Sequence, residues 1–149
     1  MAATRWTRAD GKRPIQPDGT PASSTSAATW TTYSQVTAFD AAGDGLGFML
    51  GAGFACIDLD HCISPRGTLS RLAKAVVAAC PDSFIEVSVS GTGLHIFGQL
   101  PAAPRIKLPG VEIYSRARFI RTTGNMYQPG KLTDIALAAN IATIMGKEE

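Results

Sequence analysis

The sequence predicts an α+β domain, a mixed sheet with a few helices able to cover one of its faces. Three observations lead there. Strand-like apolar runs crowd the centre of the chain, helical periodicity recurs at three places around them, and the order reads helix, two strands, helix, two strands, hairpin, helix. With 149 residues, 45% of them apolar, the chain is long enough to fold as one domain around a buried core.

Residues 1–26 are rich in Pro, Gly, Ser and Thr and read as an extended arm. Ser26 is placed to cap a helix over 27–42, with Trp30, Tyr33, Val36 (or Thr37) and Phe39 on its apolar side and Gly43-Asp44-Gly45 ending it. Two apolar runs follow, 46–50 and 54–59, joined by Gly51-Ala52-Gly53, which is the pattern of a hairpin. Gly67 and Thr68 open a second helix over 69–80. Leu69, Leu72, Ala73, Val76 and Val77 share one side of it, and Pro81 stops it. Strands are expected over 84–89 and 94–97, separated by a Gly-rich turn. The segment 99–110 holds three prolines and reads as a loop. Residues 111–114 and 119–122 read as a second hairpin, and an Ala- and Ile-rich helix is expected over 134–145, with Thr133 as its cap.

Charge and cysteine usage exclude several classes. A formal net charge of +2 is too small for the whole chain to act as an electrostatic DNA clamp, so any nucleic-acid contact must come from a local patch. No stretch is long and apolar enough to span a membrane. Residues 1–13 mix Arg5, Arg8, Lys12 and Arg13 with small residues and lack the apolar block of a secretory signal, so a cytoplasmic location is expected. Cys56, Cys62 and Cys80 are odd in number and form no CxxC pair. Free thiols are the expected state, with a metal site of His61, Cys62 and Cys80 as the alternative.

The chemistry-bearing residues lie in the strands. Asp58 and Asp60 stand two apart, so on a strand both carboxylates point to one face while Leu59 points to the other. Paired carboxylates repel, and a hard divalent cation relieves that repulsion. A polar strand end with Asp60 capping a turn explains the spacing equally well. Glu112 is a lone charge inside Val111-Glu112-Ile113-Tyr114, and a third acid near the pair would complete a cluster suited to phosphoryl transfer. Ser88, Ser90, Gly91, Thr92 and Gly93 form a small-residue turn whose hydroxyls and backbone N–H groups suit a phosphate, and His95 follows at the start of a strand. The turn is neither a Walker loop nor a dinucleotide fingerprint. Arg105, Lys107, Arg116, Arg118 and Arg121 cluster late and suit phosphates or a template backbone, while ordinary solvated surface is the reading for each one taken singly. Tyr114 and Phe119 are candidates to stack on a base, with core packing favoured for Phe119.

Taken in order, Lys12-Arg13-Pro14, the 22–30 stretch, Cys56-Ile57-Asp58-Leu59-Asp60-His61-Cys62, Ser90-Gly91-Thr92-Gly93-Leu94-His95-Ile96 and Gly110-Val111-Glu112-Ile113-Tyr114 resemble the archaeo-eukaryotic primase superfamily. They are most similar to the primase–polymerase (prim-pol) domains of phage and plasmid replication proteins. The resemblance covers residues 12–124. It implies an RRM-like mixed or antiparallel catalytic sheet with flanking helices and a small N-terminal α/β module. Within a single domain over 1–149, it implies an arm at 1–26, a catalytic core at 27–132 and a C-terminal helix at 133–149.

The resemblance also implies roles. Asp58, Asp60 and Glu112 would hold Mg²⁺ or Mn²⁺. His95 would contact the phosphates of an incoming dNTP or NTP, with Ser90 nearby; Ser88, Gly91, Thr92, Gly93, Arg118 and Arg121 are the further candidates for the nucleotide site on their residue chemistry. The implied reaction adds a nucleotide to a 3′-hydroxyl on a DNA template, in the cytoplasm of a bacterial host. Family members often continue into a helical bundle or a replicative helicase, and the third acid here is Glu rather than Asp. Two other readings of the same residues are a non-catalytic nucleotide- or DNA-binding module and a metal-dependent nuclease. The sequence names no clear water-positioning base for the nuclease.

Overall fold

A computed structural model describes residues 4–148. The first three residues of the expected arm and the last residue of the 133–149 segment lie outside the described residues. The fold is α+β, with antiparallel pairing between all named strands and only a few helices. It divides into two compact units, one of residues 4–51 with Ala117–Thr123, the other of Ala52–Arg116 with residues 124–148.

The first unit is a four-stranded sheet. The expected arm folds as a hairpin, β1 (Trp6–Asp10) and β2 (Arg13–Ile15), turning at Gly11 with φ +61°. The alternation Trp6-Thr7-Arg8-Ala9, with Thr7 and Ala9 buried, is the strand signal that the Pro- and Gly-rich surroundings mask. β3 (Gly45–Leu50) lies between β1 and β9 (Arg118–Thr122).

The helix expected over 27–42 does not form. A 3-10 turn at Ala27–Thr29 and a single α-turn, α1 (Tyr33–Val36), take its place. Thr31 is extended instead, exchanging backbone hydrogen bonds with Trp6 at 3.0 and 2.8 Å, and Thr32 caps α1 through Gln35 N. Of the expected apolar side only Val36 is fully buried, while Phe39 is fully exposed. Thr31 and Thr32 are better suited to strand and cap than to a helix interior, and pairing with β1 decides the contest.

The second unit is a six-stranded sheet in the order β10-β5-β6-β4-β8-β7. Its strands are β4 (Phe54–Leu59), β5 (Phe84–Val87), β6 (Leu94–Gln99), β7 (Ile106–Leu108), β8 (Val111–Tyr114) and β10 (Met126–Gln128). Two helices join them, α2 (Arg71–Ala78) and α3 (Ala136–Lys147). β4 and β5 run the same way with β6 between them and α2 as the crossover, which is a split β-α-β arrangement. Ser70 caps α2 by accepting from Ala73 N, and Asp134, rather than the expected Thr133, accepts from Ala136 N at 2.8 Å to open α3. Thr133 bonds to Ser83 instead.

Both expected hairpins are corrected. β3 and β4 are consecutive but pair in different sheets. β8 pairs with β4 and β7, whereas β9 pairs with β3. The expected loop 99–110 contains β7, which turns through Pro109-Gly110 into β8.

The core of the second unit explains which face carries what. Ala55, Ile57 and Leu59 of β4, Ile85 of β5, Leu94 and Ile96 of β6 and Val111 and Ile113 of β8 pack against Leu72, Ala73 and Val76 of α2 and Ala138, Ala139 and Ala142 of α3. Side chains alternate along each strand, so Asp58, His95 and Glu112 project from the opposite face.

Candidate active site

Register builds the site. Asp58 on β4 is the cross-strand partner of His95 on one side and of Glu112 on the other. The row extends to Glu86 on β5, opposite His95, and to Lys107 on β7, opposite Glu112. Directly opposed residues of antiparallel strands share a face with Cβ atoms about 4.5–5.5 Å apart. Five ionisable side chains therefore form one band across five strands. The three acids and the imidazole singled out in the sequence are brought to one face of one unit.

Each member of the band is held. His95 Nε2 lies 3.4 Å from Asp58 Oδ1, and its Nδ1 is buried with no hydrogen-bond partner. The Phe97 ring meets the imidazole edge-on. Tyr114 donates its hydroxyl to Glu112 Oε2, and Lys107 Nζ lies 3.8 Å from Glu112 Oε1. Tyr114 is 2% exposed, so it orients the acid rather than offering a base-stacking surface. Glu86 is buried and accepts from Gly124 N at 2.6 Å, which fastens the start of the segment leading into β10.

Asp60 follows the end of β4. Its backbone N–H donates to Gly110 O at 3.0 Å, and its carboxylate accepts from His61 N at 3.0 Å. His61 adopts φ +50°, which turns the chain sharply beside the acid and leaves its imidazole 3.5 Å from Asp60 Oδ2. A hollow of about 440 Å³ opens where Asp58, Asp60, Glu112 and Lys107 meet the Pro109-Gly110 turn.

The turn between β5 and β6 flanks Asp60, because Thr92 O accepts from both Cys62 N and Ile63 N, at 2.8 and 3.0 Å. Its backbone is not free as the sequence reading expects. Gly91 N donates to Ser88 O, Thr92 N to Ser90 Oγ and Gly93 N to Ser88 Oγ. What it offers a phosphate is a chain of hydroxyls, Ser88 to Ser90 at 3.0 Å and Ser90 to Thr92 at 2.9 Å, which spends two of its three protons internally and leaves one to donate outward. Gly93 is required by space: a Cβ there would sit 2.6 Å from Leu59 O.

Arg118 and Arg121 belong to the first unit. Within it Arg121 is committed to Gly11 O at 2.7 Å and to Asp44 Oδ1 at 3.0 Å. Asp44 is held below the usual carboxylate range, first by the N–H of Gly11 and then by the Arg121 charge. The three cysteines are buried free thiols, and burial pushes Cys62 and Cys80 up.

Sequence reasoning named Lys107 only within the late basic cluster and His61 only as a partner of Cys62 and Cys80, so it missed their places beside Glu112 and Asp60, and it passed over Glu86 and Tyr114 as the anchor of Glu112. The place of Lys107 had a signal: the alternation Ile106-Lys107-Leu108 before Pro109-Gly110 and Val111-Glu112-Ile113 is a hairpin pattern.

Among the described residues, no three or more His, Cys, Asp or Glu side chains stand in a ready-made metal-ligating group. Asp58 faces His95, Asp60 faces His61 and Glu112 faces Tyr114 and Lys107. The donor chemistry nonetheless fits a hard divalent cation, since three carboxylates line one hollow and bring only oxygen ligands. No helix among the described residues is long and apolar enough to cross a membrane. In comparisons with known proteins, no protein-family model matches the chain and no curated protein matches it significantly.

Proposed function

We propose that the chain is the nucleotidyl-transfer core of a small primase–polymerase, adding nucleotides to a 3′-hydroxyl on a DNA template in phage or plasmid replication. The observation that carries this reading is the register of β6, β4 and β8, which aligns His95, Asp58 and Glu112 on the face away from the helices, with Asp60 lining the same hollow. The split β-α-β order, with β8 added beside β4, supports an RRM-like catalytic sheet.

Asp58, Asp60 and Glu112 would hold Mg²⁺ or Mn²⁺. Such an ion supplies charge neutralisation for the triphosphate and a lowered pKa for the attacking hydroxyl. Against that site the chain's own groups bind and orient. His95 would turn its Nε2–H from Asp58 to a phosphate oxygen, since its Nδ1 is buried. The Ser88-Ser90-Thr92 hydroxyl chain donates its one remaining proton to another oxygen and helps fix the triphosphate beside the acids. Tyr114 keeps the Glu112 carboxylate turned toward the hollow.

The test pairs primer extension with calorimetry, using a dNTP and Mn²⁺. Binding and extension that both vanish in Asp58→Asn and Asp60→Asn are expected. Nucleotide binding without extension in the parent would favour the non-catalytic module. Cleavage of labelled DNA with metal and no nucleotide would favour a nuclease.

A further inference from the structure

Lys107 supplies the one cationic side chain among the residues lining the hollow, facing three carboxylates. It enters by register: Lys107 opposes Glu112, which opposes Asp58, so the band of charge ends in an ammonium on the outermost strand, β7. Its Nζ lies 3.8 Å from Glu112 Oε1, and its side chain is 64% exposed. It is thus in contact with Glu112 yet free to leave it. Lysine suits this because its charge is compact and carried on a flexible four-carbon stem.

We propose that Lys107 is the built-in counter-ion of the acid cluster, displaced when a divalent cation binds and then engaged by the triphosphate of the incoming nucleotide. The inference rests on the metal-dependent nucleotide reading above and deepens it. An ammonium and a dication cannot both sit on Glu112 without mutual repulsion, so each weakens the other's hold. Once off Glu112, the ammonium remains tethered at the mouth of the hollow, because the Pro109-Gly110 turn fixes β7 against β8. There a polyanion is its natural partner. Metal and nucleotide then affect Lys107 with opposite sign: it opposes the first and favours the second.

The experiment follows that sign. Free Mn²⁺ is titrated by electron paramagnetic resonance into the full chain, as parent, Lys107→Gln, Lys107→Arg and Asp58→Asn. dATP binding is then measured in saturating Mn²⁺. In Lys107→Gln, Mn²⁺ should bind roughly two- to tenfold more tightly and dATP more weakly by a similar factor, as expected for one partly exposed charge. Lys107→Arg, which keeps the charge, should stay near the parent for Mn²⁺. A side chain with a purely structural role would move both affinities the same way. Unchanged or weakened Mn²⁺ binding in Lys107→Gln overturns the counter-ion role, and unchanged dATP affinity overturns the hand-over. No Mn²⁺ binding in either parent or Lys107→Gln overturns the metal reading itself. Parent binding that is lost in Asp58→Asn but indifferent to Lys107 sinks only the inference.

Discussion

The two units use charge in opposite ways. In the first, arginines serve the backbone. Arg8 donates to Ala42 O, Val36 O and Gly43 O at 2.6–3.2 Å, Arg5 donates to Met49 O and lies over the Trp30 ring, and Arg121 donates to Gly11 O and Asp44 O. The irregular stretch between α1 and β3 leaves carbonyls with no strand or helix partner, and a guanidinium with five donors satisfies several at once. In the second unit the charged side chains of the band face one another across strands, and of the five only Glu86 also fastens the backbone, at Gly124 N. The difference teaches where to look for chemistry. Charge consumed by main-chain groups is architecture, as Arg121 is even while it pairs with Asp44, whereas a row of charges running strand to strand across one face points to a ligand.

The sharpest way to break the comparison is Asp58→Asn. If the band is functional, primer extension should fall by at least about 10²-fold, while the melting temperature stays level or rises as like charge is relieved. A large loss of stability would make the band structural. Arg8→Met should do the reverse in the first unit, costing about 2 kcal/mol in urea denaturation because three carbonyls lose a charged donor. Gly93→Ala lies between them. The contact with Leu59 O should cost about 1–2 kcal/mol and displace the hydroxyl turn, raising KM for nucleotide more than it lowers stability.

The smallest effect is expected at Asp44. Its folded-state pKa lies below the unfolded carboxylate value of about 4. Its contribution is therefore complete above that value and is lost as pH falls through the lower folded one. Urea midpoints of the parent and Asp44→Asn should differ slightly at neutral pH and converge in strong acid. A gap that persists there would contradict the carboxylate as its source.

Much of the second unit was legible because its signals are local. The DxD strand, the amphipathic run of α2, the turn before His95 and the apolar frame around Glu112 each announce a type of element and a face. Partnership was not legible. Gly51-Ala52-Gly53 has every feature of a hairpin turn, yet β4 is flanked by β6 and β8, and β3 by β1 and β9. Strand choice is settled by the whole sheet, not by the turn. The 27–42 helix failed for a related reason, since Thr31 gains two backbone bonds from a strand over twenty residues earlier. β7 was hidden by prolines that mark its flanks rather than its interior.

Placing β9 beside β3 has a consequence for how the chain is made. Thr122 hydrogen-bonds to Leu46 O across 76 positions of sequence, so the N-terminal sheet stays one strand short until translation has passed it. Throughout that interval β3 offers a bare edge to any neighbouring nascent chain. Fragments cut after residue 51 would inherit that adhesive edge permanently, and soluble pieces of this protein should begin before β1 and run past β9.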